Sequence, residues 1–426
     1  MRSLLITLAV LLSVSNVRAA EPMTPWLMAT AYKLPSEYTN QESGYFAIIE
    51  GHNGKLYIGA AKYGVNGYLL EFDPATGKTV MVMDVMKTIG STATGFAAQA
   101  KIHTRNNVGE SGKIYVGSKQ GYPEANESRD SYLGGYVLTY DPKTGKNEHF
   151  GIAKAKHGII SVIPDEANGL AYISTCSDDR PIDHTNFMVL DLKTKKYTDL
   201  GDMEHAYAFV VVDDQHRALH PKRGGLFVRY DPKTQKTETL TGQLGGQPLP
   251  KEITKDGAIQ NWDMSPDKKT LWDVEMSTNQ LFSFDLTANT PFLSGKAHGP
   301  LLKGAKHTDC RAMCVAPDGI VWMAVTEQGL PGGAQLHLVS YSPGAAAPVD
   351  HGPVGIANPD FTTFVDAAGK AKPWHHTMRK EKDGTLTPWQ PLGISTGKDG
   401  NVNIVTLAPF TVVRVDRSKL KVAPAK

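Results

Sequence analysis
The chain has 426 residues, 41% of them hydrophobic, which is ample for a buried core, and a formal net charge of only +2. Once Arg2 and Arg18 of the leader are set aside, basic and acidic residues balance, which excludes bulk electrostatic binding to nucleic acid. Three cysteines, Cys176, Cys310 and Cys314, are too few for a disulfide framework, and the latter pair sit too far apart along one strand to bridge.

Residues 1–19 read as a secretory signal: Arg2, an apolar run from Leu4 to Val14, and Val17-Arg18-Ala19 as a small-residue cleavage site near Ala19. The run is too short to span a bilayer, and no other stretch is long and apolar enough, so the expectation is a secreted or periplasmic protein without a membrane span. From Leu69 onward one element recurs. It is LLEFDPATGK at 69–78, VLTYDPKTGK at 137–146, MVLDLKTKK at 188–196, FVRYDPKTQK at 227–236 and LFSFDLTAN at 281–289, with weaker copies at 336–344 and 412–419. The Asp-Pro/Lys-Thr-Gly part is a tight turn: Asp binds its own backbone, Pro presets φ, and Gly takes the left-handed position. Each copy follows a turn and a short apolar strand, such as NGKLYIGA, SGKIYVGS and DGIVWMAV. Strand periodicity is everywhere and helical periodicity almost nowhere.

Seven four-stranded units of this kind cannot each bury two faces alone, and radial stacking solves the problem. The expectation is an all-β, seven-bladed β-propeller, a single domain over 20–426 that acts as a monomer. Blades fall at about 43–85, 94–153, 157–203, 205–243, 257–295, 307–350 and 389–422. Trp26–Leu34 is expected to add the outer strand of the last blade. Long insertions at 118–135, 174–187 and 351–388 all belong to the face where the inner strands begin, which marks that face as a binding cleft.

Histidines gather at the same level. His157, His205 and His307 each precede the first turn of their blade by the same spacing, and His103 lies one step deeper. His184, His375 and His376 reach the face from insertions. Such a set suits a divalent metal (Zn, Mn or Ca) or acid–base chemistry. Lys119, Tyr122, Arg129, Tyr132, Asp178, Asp179 and Arg180 share the face. Aromatics interleaved with cations suit a sugar acid, because rings stack on the pyranose and a cation pairs with its carboxylate.

KIHT at Lys101–Thr104, the GKIYVGS strand, GYP at Gly121–Pro123 and GGYVLTYDP together resemble the seven-bladed propeller polysaccharide lyases, above all ulvan lyases. Oligogalacturonate lyases are more distant in architecture. Thr308–Glu327 and the PWHH segment are similar to secreted propellers of planctomycete-type bacteria. The lyase resemblance covers the first four blades. It implies β-elimination on a uronate-containing glycan: a cation or metal neutralises the carboxylate, and Tyr or His abstracts the C5 proton and protonates the leaving oxygen. Lys119 stands where that family has a second histidine, and Cys176 where it has a tyrosine. On this reading His103 with Tyr122 or Tyr132 forms the acid–base pair. Lys119, Arg129 and Arg180 hold the carboxylate, His184, His375 and His376 bind substrate, and His157, His205 and His307 hold a metal. Two other readings stand beside it: a non-catalytic propeller that binds a glycan or a protein, and an oxidoreductase propeller carrying a quinone or a metal.

Overall fold
The computed structural model describes residues 26–39, 43–178, 184–205, 207–250, 261–288, 290–330, 333–358, 378–408, 410–420 and 422. Among these the strands form seven antiparallel meanders. The first is Ser43–Glu50, Leu56–Lys62, Asn66–Asp73 and Lys78–Asp84. In the second, the inner strand is broken into Lys101–Ile102 and Asn107–Val108, followed by Ile114–Lys119, Tyr136–Asp141 and Lys146–Ile152. The third runs from Gly158–Asp165 through Leu170–Cys176 and Asn186–Asp191 to Tyr197–Asp202. Inner strands of the remaining four are Val211–Val212, Asn261–Met264, Thr308–Val315 and Trp389–Thr396.

These inner strands touch one another in chain order, and the last touches the first. The hydrophobic core follows the same order: seven buried clusters, six built from two successive blades and one from the third, fourth and fifth, with Leu34, Ile58, Phe72, Val405 and Val412 joining last to first. A ring of small sheets that buries its faces only against neighbours is a β-propeller.

Ring closure uses the strand at 27–33, as expected. Leu27–Lys33 pairs antiparallel with Thr411–Asp416 as the outer strand of the seventh blade. It also pairs in parallel with Val349–Ile356 of the sixth, so one strand stitches two blades. The Asn358 amide accepts from Ala31 N (2.9 Å) and donates to Ala31 O (2.8 Å), fastening that strand. A second stitch was not anticipated: Lys236–Leu244 of the fourth blade pairs in parallel with Phe292–Ala297 of the fifth. The outer strand of the sixth blade continues to Ile356, inside the segment read as an insertion from 351.

The recurrent turn behaves as its sequence dictates. Gly77 N and Gly145 N each donate to the carbonyl of their Asp at 2.8 Å, with φ of 70° and 69°. Lys195 and Gln235 hold the same left-handed position without glycine, at 57° and 56°. All three cysteines are buried, and none forms a disulfide.

Candidate functional site
Define the upper face as the one where inner strands begin. There the second blade departs from the others. Its first inner piece, Lys101–Ile102, pairs with Ala61 of the first blade on one side and with Lys119 and Ser118 of its own blade on the other. Directly opposed residues of an antiparallel pair share a face. Lys101 and Lys119 are so opposed, and both are fully buried. Two ammonium groups on one buried face repel unless rings and anions surround them.

Those surroundings are present. Lys101 Nζ donates to the Tyr63 hydroxyl at 2.9 Å and lies 4.7 Å from the Tyr63 ring centroid and 4.9 Å from that of Tyr122. Tyr63 and Tyr122 meet edge to face. Lys119 Nζ lies 3.3 Å from Asp178 Oδ1, 3.6 Å from Cys176 Sγ and 5.0 Å from the Tyr207 ring centroid. The His103 imidazole stacks on Tyr207 at 5.6 Å and meets Phe46 edge-on at 6.0 Å. Gly158 makes room for this: a Cβ there would lie 2.3 Å from Lys119 Cγ. Asp178 holds a left-handed φ of 61° without being glycine, the kind of strain that collects at functional sites.

Of the expected residues, His103, Lys119 and Tyr122 therefore join one cluster around Lys101 and Tyr207. His103 is buried, whereas Tyr122 is 56% exposed. Arg129 is exposed and reaches the cluster from the second-blade insertion, its Nη1 donating to the Asp178 carbonyl at 3.4 Å over the Phe96 ring. Tyr132 is placed differently. It is 1% exposed, and its hydroxyl donates to Gln99 Oε1 at 3.1 Å. Burial pushes its phenol far above the usual range, against the pull of the nearby Lys119 charge. A buried hydroxyl used to fix Gln99 is not presented to a ligand.

The metal set does not assemble. His157 lies against Thr175 Oγ1 at 3.0 Å, the backbone carbonyl of His205 accepts from the Thr185 hydroxyl, and His307 is exposed at the rim of the sixth blade. Among the described residues no three His, Cys, Asp or Glu side chains group as metal ligands. His184 Nδ1 is 2.5 Å from Asp202 Oδ2, tied to the outer strand of its own blade. Arg180, His375, His376 and Asp179 lie outside the described residues.

Lys101, Tyr63, Tyr207 and Phe46 were not singled out from the sequence. Lys101 carried a signal: a lysine within an otherwise apolar strand start, AAQAKIH. The rings carried none, since cross-blade packing brings them in.

Phe46 and Phe209, edge to face at 4.9 Å, form a floor beneath this cluster. Below them a cavity of about 200 Å³ occupies the lower channel, reaching Glu50, Pro317 and Thr396 at the lower ends of the inner strands.

No protein-family model matches this sequence, and no curated protein matches it. Among the described residues no helix is long and apolar enough to cross a membrane. Solved structures do match. An extracellular domain described as part of a one component system from B. thetaiotaomicron has a TM-score of 0.53 at 11% identity, over 91% of this chain and 40% of that one. The chain thus spans well under half of that protein's length. The RRP9 WD40 repeats give a TM-score of 0.55 at 7% identity, covering 92% and 99% of the two chains. The Cps50 (Swd1) propeller domain of Myceliophteria thermophila gives 0.53 at 9%, covering 91% and 99%. At such identities the likeness speaks for architecture and not for chemistry, and the architecture is that of a β-propeller.

Proposed function
We propose that this protein is exported and binds acidic carbohydrate on its upper face. One observation carries the reading: two buried ammonium groups, Lys101 and Lys119, lie among the rings of Tyr63, Tyr122 and Tyr207, and Tyr122 is open to solvent. Asp178 holds the Lys119 ammonium in place from the neighbouring blade. A low-dielectric surround strengthens attraction for a ligand carboxylate, and the apolar face of a pyranose covers the exposed ring. Calorimetric titration with uronate-containing oligosaccharides and their carboxyl-reduced counterparts tests it. Binding of the acidic form alone is expected, and Tyr122→Ala should weaken it about five- to tenfold, the equivalent of roughly 1 kcal/mol of ring contact. Equal binding of the neutral form contradicts the proposal.

A specific observation favours β-elimination as a second reading. His103 stacks on Tyr207, and the Lys119 ammonium lies over the same ring. In that reaction the imidazole takes the C5 proton, the C4–O bond breaks with formation of the C4–C5 double bond, and the imidazolium so formed returns the proton to the leaving oxygen. Neutralising charge on the carboxylate is the largest energetic need, and Lys119 is the candidate for it. Growth of unsaturated-uronate absorbance, abolished by His103→Ala, is the expected result; a flat trace across ulvan, pectic and glycosaminoglycan substrates removes this reading and leaves binding.

A further inference from the structure
The seam between the sixth and seventh blades opens into a cleft at the upper face. On the second strand of the sixth blade, Val321–Leu330, the alternate positions Trp322, Ala324, Thr326 and Gln328 climb toward that face. Trp322 and Ala324 belong to the buried cluster that the two blades share. Thr326 and Gln328 are polar, and there the packing stops: both line the cleft instead. Asp309, opposed to Thr326 in register, joins them from the inner strand. Gln390 and Pro391 face them from the start of the seventh blade's inner strand. Gln390 holds a left-handed φ of 56° without being glycine, a strain of the kind that collects at functional sites.

The lining is polar but offers no unmatched charge. Arg311 Nε lies 2.9 Å from each Asp309 oxygen, and its Nη2 lies 2.9 Å from Oδ2, so the two charges in the cleft answer each other. The neutral groups are different. Among the described residues the Thr326 hydroxyl and the Gln328 and Gln390 amides make no hydrogen bond. Amides and hydroxyls both donate and accept, which is what a hydroxyl-bearing ligand needs. Ala334 and Pro391 add an apolar patch for the C–H face of a ring. The volume, about 150 Å³, is below the roughly 300–1,000 Å³ of drug-sized sites, so the cleft takes one small unit and not a whole oligosaccharide.

We propose that this cleft is a second carbohydrate subsite, for a neutral sugar unit, on the same face as the lysine cluster. The inference rests on the upper-face reading and narrows its ligand to an acidic heteropolysaccharide, in which uronates alternate with neutral sugars. A uronate sits at Lys101 and Lys119 on the second blade, and a neutral unit of the same chain sits between the sixth and seventh. The ligand then crosses the upper mouth of the channel. A carboxylate gains nothing in the cleft, because the Asp309 charge is beside it and the Arg311 guanidinium is already engaged.

The test is calorimetry on the full chain with oligogalacturonates and with oligosaccharides in which galacturonate alternates with rhamnose, or glucuronate with N-acetylglucosamine, each as a length series. Gln328→Ala combined with Gln390→Gly removes both amides. Gln328 is exposed, and glycine accepts the backbone that Gln390 holds, so the fold is retained. At least one alternating ligand should bind this variant about tenfold more weakly than the unaltered chain, while oligogalacturonate affinity changes by less than about twofold. Tyr122→Ala, at the uronate end, should weaken both kinds. Should the double variant fail to fold, Gln328→Ala alone decides, with a loss of about threefold or more expected. Unchanged affinity for every alternating ligand overturns the subsite and leaves uronate binding at the lysines standing. Equal losses on both kinds of ligand overturn the preference for a neutral unit. If the unaltered chain binds none of these oligosaccharides, the upper-face reading itself falls, and this subsite with it.

Discussion
Gly145 stands at φ 69°, and a Cβ built on it meets nothing within 4 Å. The cost of Gly145→Ala is therefore backbone alone, about 1–2 kcal/mol for forcing an L-residue into the left-handed region. Chemical denaturation should show the midpoint fall with the slope unchanged. Single residues were also where sequence reasoning met its limit. Tyr132 has the right chemistry and the right loop, yet the fold spends its hydroxyl on Gln99. Tyr132→Phe should cost about 1 kcal/mol for that buried hydrogen bond and leave ligand binding unchanged, as calorimetry will check. Lys101 shows the converse. It lies beside His103 in the one motif that stood out, but its importance depends on Tyr63 and Tyr122, which arrive from other segments.

At the scale of elements, the repeated turn is the feature most legible in the chain, because Asp, Pro and Gly act within four residues of each other. Its carboxylates carry a pH signature. Backbone N–H groups of Lys143 and Thr194 hold Asp141 and Asp191 below the usual 3.8, and Asp231 in the Lys233 turn is lowered as well. For Asp231 burial pushes upward, but the Lys233 and Thr234 groups outweigh it. A depressed carboxyl binds fewer protons folded than unfolded. Its contribution is thus present above the unfolded value and is lost as pH falls through the folded one. Stability should drop on acidification below about pH 4, and Asn at all three positions should flatten that limb of the curve. The closing strand was expected from the architecture, because a propeller ring needs a strand to complete its last blade, and not from its own local pattern. Its parallel seam with the sixth blade was not, since nothing in 27–33 specifies a second partner. Asn358→Ala removes both hydrogen bonds to Ala31 and should cost about 1–3 kcal/mol, read as a lower Tm.

Across the whole molecule, seven buried clusters close a ring; Phe46 meets His103 and, with Phe209, lines the cavity that reaches Glu50. Repeats announced the ring. What repeats do not encode is how one blade differs from another. The broken inner strand of the second blade sets Lys101 opposite Lys119 in register, and no periodicity reveals that. The most direct test of the account is amide hydrogen exchange, peptide by peptide, with and without a uronate-containing oligosaccharide. Slowed exchange at 99–122 and around Tyr207, with the lower turns at Glu50 and Lys398 unchanged, is the predicted result. Protection confined to the lower turns, or none at 99–122 under saturating ligand, contradicts it.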